Sequence, residues 1–310
     1  MKEHEFTLES EIDGLKISCL MIQPNCPPRG IVQIVHGMCE YKERYRDFMS
    51  FLSCSGYITV IHDHRGHGKS IESPDDLGYM YDGGAAALVA DTYAVTKYAK
   101  EYAAQNYGEH DLPYTLIGHS MGSMVVRCYI KRYDGEIDKL FVMGCPSKLK
   151  GMKSGMALIK FLESIKGGKS RSKLIDYIAI KSNYEKRFRK EGLHAWVNSD
   201  RESVKAYNDD PLCNFTFTLN GYENLVRLSM ETYLKKGYGM KNPGLYIRFL
   251  SGEDDPCAIS KKDVGKAMAI LKKVGYTNVR GKMYKKMRHE ILNEPDHMRV
   301  YSDILEMIGE

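Results

Sequence analysis

No apolar run in this 310-residue chain approaches the ~20 residues that span a bilayer, so a membrane-crossing helix is excluded. The opening residues, Met1-Lys2-Glu3-His4-Glu5, have none of the apolar stretch of a secretory signal, and a cytoplasmic protein is the expectation. The eight cysteines, at positions 19, 26, 39, 54, 128, 145, 213 and 257, include no C-x-x-C pair, which removes zinc-ligand spacing and a disulfide framework. They are expected to be reduced and packed as small hydrophobes. Charge of one sign is scarce too: a net +5 is too small for nucleic acid to be the main partner. Internal repeats and low-complexity segments are absent. Two stretches, Gly68-Lys69-Ser70 and Gly168-Lys169-Ser170, end like phosphate loops, but the glycine needed five positions earlier is Asp63 in one and Glu163 in the other. No nucleotide, other cofactor or metal is expected.

What is present belongs to a globular protein. An apolar fraction of 43% and a charged fraction of 27% suit a large α/β domain carrying an insertion. Apolar, β-branched runs at residues 31–35, 57–61, 114–117, 140–143, 245–250 and 279–284 read as buried strands of a parallel sheet. Helical stretches at 45–53, 85–102 and 123–133 fall between several of them, the βαβ alternation of an α/β fold. Residues 5–10 and 15–22 flank Asp13-Gly14, a hairpin signal, so the sheet is expected to be mixed. From Pro146 to Gly244 there are about 100 residues between two core strands, where a crossover needs about a dozen. The excess is expected to form a helical cap over residues 147–235, with residues 1–146 and 236–310 making the core.

The chemistry centres on Gly118-His119-Ser120-Met121-Gly122, which follows an apolar strand run and precedes a helix. A sharp strand-to-helix turn strains its apex residue, and flanking glycines let neighbouring chain pass without a Cβ clash, so Ser120 is presented as a nucleophile. A serine hydroxyl needs a base, and the base needs an acid that holds its tautomer. Ser251-Gly252-Glu253-Asp254-Asp255-Pro256 follows one strand and Arg288-His289-Glu290 follows the next, giving the order serine, acid, histidine. Asp254 and Asp255 both qualify as the acid; Pro256 fixes the turn after Asp255 and favours it. The oxyanion donors expected are the backbone N–H groups of Met121, next to the nucleophile, and of Met38, in the loop after an early strand.

Together His36-Gly37-Met38, the run from Asp63 to Ser70, the Ser120 motif, Gly252-Glu253-Asp254-Asp255 and Arg288-His289-Glu290 resemble, in identity and order, the α/β-hydrolase superfamily. The resemblance is to its branch of monoacylglycerol lipases, lysophospholipases and serine aminopeptidase-like hydrolases, and covers residues 5–310, the cap being matched only in position. It implies an α/β-hydrolase fold and a catalytic triad of Ser120, Asp255 and His289, the spacing from Gly252 supporting Asp255. Each residue has a plainer reading: Ser120 as a turn serine, His289 as a surface histidine. His36, His62, His64, His67 and His119 lie on different loops without ligand spacing, and are expected to be structural rather than metal ligands. Asp63 and Arg65 are expected to tie their loop.

Between Lys148 and Gly192, 13 Lys and Arg face 4 Asp and Glu, a net +9 in a chain of net +5. Leu158, Ile159, Leu162 and Ile165 share one helical face there. Such a basic amphipathic segment is either a solvated exterior packed on the core or a surface for anionic lipid. The expectation is therefore a serine hydrolase of carboxylic esters with an apolar acyl chain, its small-molecule substrate a monoacylglycerol or lysophospholipid, with peripheral contact to anionic membrane through the cap. The alternatives are an aminopeptidase-like peptidase, a thioesterase or acyltransferase, and a binding module without catalysis.

Overall fold

A computed structural model describes residues 1–108, 110–148, 151–258 and 260–310, the side chain of residue 181 excepted. The chain opens with the hairpin of β1 (Lys2–Glu9) and β2 (Lys16–Gln23), and then alternates: β3 (Gly30–Val35), α1 (Arg46–Cys54), β4 (Tyr57–His62), α2 (Gly84–Tyr107), β5 (Tyr114–His119), α3 (Met121–Tyr133) and β6 (Lys139–Met143). Next come α4 (Met152–Lys166), the single turn α5 (Lys173–Asp176), α6 (Arg201–Asp209) and α7 (Leu219–Thr232). The core resumes with β7 (Tyr246–Gly252), α8 (Lys261–Val274), β8 (Val279–Tyr284) and α9 (His297–Gly309).

The eight strands form one sheet in the order β1-β2-β4-β3-β5-β6-β7-β8. The pairs β1/β2 and β2/β4 are antiparallel and all others parallel. Every residue of β3, β4 and β5 is buried, as expected of strands covered by helices on both faces. Alternation along β3 splits the core in two. Ile31 and Val35 join the cluster under α2, α3, α7 and α8, whereas Val32 and Ile34 join the one under α1 and α9. This is the α/β architecture anticipated, with the antiparallel start.

The loops that leave β3, β5, β7 and β8 at their carboxyl ends converge on one edge of the sheet, where α/β folds place ligands. The segment between β6 and β7 packs through α4 on α7 and through α7 on α3. On α4, Ile159 is buried and Leu158 and Leu162 lie half-buried on the core, but Ile165 is 64% exposed and departs from the face assigned to it. Side chains at hydroxyl or carboxylate caps start the later helices: Asp200 for α6, Thr218 for α7 and Ser260 for α8. Lys150, counted in the basic run, lies outside the described residues.

Candidate active site

Ser120 ends β5 and opens α3 with φ 52° and ψ −115°, a conformation that costs a non-glycine residue about 1–3 kcal/mol. Hydrogen bonds hold it there. Its N–H donates to the Met143 carbonyl at 2.9 Å, and its own carbonyl accepts from Ser123 Oγ at 2.6 Å and Ser123 N at 3.0 Å. The glycines act as anticipated, by permitting close approach. A Cβ on Gly122 would stand 2.0 Å from the Val35 carbonyl oxygen, and one on Gly37 would stand 2.9 Å from the Ser120 Cβ. The first contact lets α3 start hard against the end of β3. The second brings the loop after β3 alongside the serine.

That loop carries Met38, and Met121 is the first residue of α3. Neither amide donates to an acceptor among the described residues, so both N–H groups are free for a ligand oxygen. They are the two expected donors, on the two loops that meet at Ser120.

Asp255 and His289, from the loops after β7 and β8, form a buried pair. His289 Nδ1 lies 3.0 Å from Asp255 Oδ1 and 3.1 Å from Oδ2. Oδ1 also accepts from the Cys257 amide at 2.8 Å, and Oδ2 from the Ser251 hydroxyl at 3.2 Å. Burial pushes the Asp255 carboxyl up, but the charge and hydrogen bond of His289 and the Cys257 amide outweigh it and leave it below the ordinary range. An ionised carboxylate only accepts, so it fixes the Nδ1–H tautomer and leaves Nε2 as the basic nitrogen. Asp254, the competing acid, is 40% exposed and pairs with Arg187. Ser120 Oγ makes no hydrogen bond to His289 among the described residues. His119, the residue before Ser120, has its ring 4.8 Å from the His289 ring.

Beneath them lies a network that the sequence did not disclose. Glu40 Oε1 sits 2.8 Å from His119 Nδ1 and accepts from the Gly37 amide at 2.5 Å and the Tyr45 hydroxyl at 3.1 Å. His119 Nε2 faces the His289 carbonyl oxygen at 3.3 Å. Arg44 bridges Glu40 Oε2, at 3.3 Å, to both oxygens of Glu290, at 2.8 Å each. Burial disfavours both charges of the Glu40–His119 pair, yet each holds the other: Glu40 lies far below the carboxylate range and His119 above the usual histidine value. The only sequence signal was a carboxylate just after His36-Gly37-Met38, and nothing in the sequence said it was buried.

The other histidines behave as structural groups. His36, His62, His64 and His67 are all buried, ring against ring, with centroids 4.4–6.2 Å apart. His36 accepts the His64 amide at 2.8 Å, and His64 Nε2 faces the His36 carbonyl at 3.0 Å. His62 departs from the hydrogen-bonding role expected, because neither of its ring nitrogens has a partner among the described residues. Asp63 and Arg65 tie their loop: Asp63 pairs with buried Lys42 at 2.8 Å, and Arg65 pairs with Asp13 at 2.6 Å and Asp91 at 3.0 Å.

A second feature missed from sequence is Trp196, the single tryptophan, whose ring centroid lies 5.0 Å from that of His289. Tyr184 stands 5.4 Å beyond it. Their segment is pinned to the His289 loop. Arg288 stacks on Phe188 at 3.9 Å and donates to the Ala195 and Asn198 carbonyls, Glu290 N donates to the Val197 carbonyl at 2.8 Å, and Asn198 Nδ2 donates to the Asn293 carbonyl at 2.8 Å.

This arrangement of loops has known counterparts, and residues 26–296 match the family described as serine aminopeptidase, S33. The chain belongs to that family. Its membership bears out the resemblance read from the ordered motifs. This hydrolase is 24% identical to the monoacylglycerol lipase of Mycolicibacterium smegmatis over 308 residues, 99% of this chain and 96% of the relative. It is 23% identical to phospholipase YtpA of Bacillus subtilis over 277 residues, 88% and 93% of the two chains. Among solved structures, a thermostable carboxyl esterase from Bacillus coagulans, in complex with glycerol, matches with a TM-score of 0.85 at 25% identity, over 100% of this chain and 98% of that one. A soluble variant of monoglyceride lipase from Saccharomyces cerevisiae shares the fold, with a TM-score of 0.74 at 17% identity over 99% and 95%.

Proposed function

We propose that the protein hydrolyses carboxylic esters with an apolar acyl chain, monoacylglycerols or lysophospholipids, through an acyl-enzyme on Ser120. The observation that carries this reading is the buried Asp255–His289 pair beside a strained serine at the start of α3. His289 Nε2 takes the Ser120 proton as Oγ attacks the ester carbonyl, and Asp255 steadies the imidazolium. The tetrahedral oxyanion forms between the Met38 and Met121 amides, which need no reorganisation to receive it. His289 then passes its proton to the leaving alcohol and activates water for deacylation.

Residues 147–235 serve as the cap, with Trp196 and Tyr184 closing over His289. The cap also carries exposed Phe161, Ile165, Leu174, Tyr177 and Ile178 among exposed lysines, a surface suited to anionic lipid. A peptidase releasing N-terminal residues would need a free carboxylate for the substrate ammonium. Asp255 is held by His289, and Glu40 and Glu290, packed beneath the site, are both paired with Arg44, which favours the ester reading.

The test is a p-nitrophenyl ester series from acetate to palmitate with an aminoacyl anilide beside it. Ester turnover that rises with chain length supports the proposal. Anilide turnover alone moves the assignment to a peptidase.

A further inference from the structure

Cys257 has no part in the proposed reaction, yet its side chain stands beside the two residues that do. One carboxylate oxygen of Asp255, the sulfur of Cys257 and one ring nitrogen of His289 all lie within 4.8 Å of one another. The three residues are 2%, 2% and 3% exposed, so the donors face one another and not bulk water. The Asp-x-Cys spacing is fixed by the Cys257 amide, which donates back to Asp255 Oδ1 at 2.8 Å.

We propose that Asp255, Cys257 and His289 form an inhibitory site for a thiophilic divalent cation, with zinc as the probe. Oxygen, sulfur and imidazole nitrogen are the donor set of a three-ligand zinc site, and the sulfur excludes hard cations such as magnesium. Zinc bonds of about 2.0–2.3 Å at tetrahedral angles put donor atoms about 3.3–3.6 Å apart. The Asp255 Oδ1–His289 Nδ1 edge measures 3.0 Å and has to open by about 0.3 Å, and the sulfur has to close by up to about 1.5 Å. The ionised carboxylate supplies a counter-charge inside the site. Coordination breaks the Cys257 S–H bond, forms a Zn–S bond and releases that proton to solvent, with no change of oxidation state. The imidazole binds as a neutral tautomer.

Either ring nitrogen gives the same outcome. Nδ1 is the atom that Asp255 holds, and Nε2 is the atom that takes the serine proton, so a cation on either stops proton transfer. Cation binding stands on the geometry alone; inhibition rests on the hydrolase reading.

Ester hydrolysis by wild type and by Cys257→Ser is followed across a free-zinc series, with magnesium as the hard-cation control. Zinc should abolish wild-type turnover reversibly, a chelator should restore it, and magnesium should do nothing. Measured against its own zinc-free turnover, Cys257→Ser should need at least about tenfold more zinc for the same fractional loss. Equal zinc potency in the two proteins overturns the site. A second readout needs neither catalysis nor a folded Cys257 variant. Cobalt(II) is added to a Cys26→Ser, Cys54→Ser background, which lacks the two exposed thiols. One equivalent should give thiolate-to-cobalt charge-transfer absorption with tetrahedral d–d bands, and their absence also overturns the site, whatever the ester assays say.

Discussion

The carboxylate of Glu40 lies 2.8 Å from Nδ1 of His119, and the far nitrogen of that ring faces the backbone carbonyl of His289 at 3.3 Å. Because the same carboxylate oxygen accepts the Gly37 amide, one buried charge connects the loop bearing Met38 to the loop bearing His289. The proposed oxyanion donors and the proposed base are thus held to a common support rather than placed separately.

Removing that charge should be costly. Glu40→Gln leaves the shape but strands a cationic His119, while Arg44 keeps its pair with Glu290, and should destabilise the fold by about 3 kcal/mol. Turnover should fall about tenfold with KM little changed, since the change misplaces groups that act in the transition state. The pair has a defined pH window. The raised His119 contributes stability that is full below its unfolded value of about 6.5 and fades as pH rises through the folded one. The depressed Glu40 contributes above its unfolded value of about 4.3 and is lost as pH falls. Thermal melts of wild type and Glu40→Gln should therefore differ most between these limits. A uniform difference from pH 3 to 10 would contradict the coupling.

The four packed histidines predict acid lability. Burial is the largest cause in each case: it holds His36 and His64 well below the ordinary value, His62 at about 3 and His67 at about 4. Their folded values lie below the unfolded ~6.5, so below that pH the unfolded chain binds protons that the folded one refuses. Stability should fall by up to about 1.4 kcal/mol per pH unit for each ring. His62, with no partner on either nitrogen among the described residues, is the ring whose loss forfeits no hydrogen bond found there. His62→Leu should match wild type at pH 8 and melt several degrees higher at pH 5. A lower melting temperature at both would remove desolvated imidazole as the cause.

Much of this site was legible because its chemistry is tied to chain order. A strand followed by glycine, serine and a helix singles out Ser120, and the acid and base proposed with it sit at the ends of two later strands, so the candidates Ser120, Asp255 and His289 can be read from chain order. The strands were legible because fully buried parallel strands carry continuous apolar runs, as in β3 to β5. Glu40, Arg44 and Glu290 were not. Each reads as an ordinary surface charge until tertiary packing buries it against the others, and no local pattern encodes a pairing 246 residues apart. Ile165 shows the converse failure: its helical face was marked by spacing, but α7 covers only part of α4. Trp196 gave no signal beyond being the single tryptophan.

That single tryptophan makes a selective reporter. With Trp196 buried and its ring tilted against that of His289 at 5.0 Å, intrinsic emission should be blue-shifted relative to free tryptophan, and should change when Ser120 is covalently modified. Steady-state fluorescence before and after a serine-directed inhibitor reads this directly. An unchanged spectrum would place the indole away from the reacting site.

The basic segment between β6 and β7, proposed as the cap, makes a separate prediction about lipid. Lys186, Arg189 and Lys190 are exposed, while Arg187 is occupied by Asp254. Reversing these three exposed charges to glutamate should cut sedimentation with phosphatidylglycerol vesicles about a hundredfold or more, at about 1 kcal/mol per charge, and leave hydrolysis of soluble esters intact. Equal sedimentation with neutral and anionic vesicles would assign the charges to a solvated exterior.

The central claim is that Ser120 is the nucleophile, and covalent labelling tests it most directly. A fluorophosphonate probe should add once per chain, at the peptide containing Ser120, and extinguish ester hydrolysis in step with labelling; Ser120→Ala should take up no probe and turn over no ester while keeping the wild-type melting profile. A Ser120→Ala protein that still labels, or still hydrolyses esters at the wild-type rate, would contradict the account.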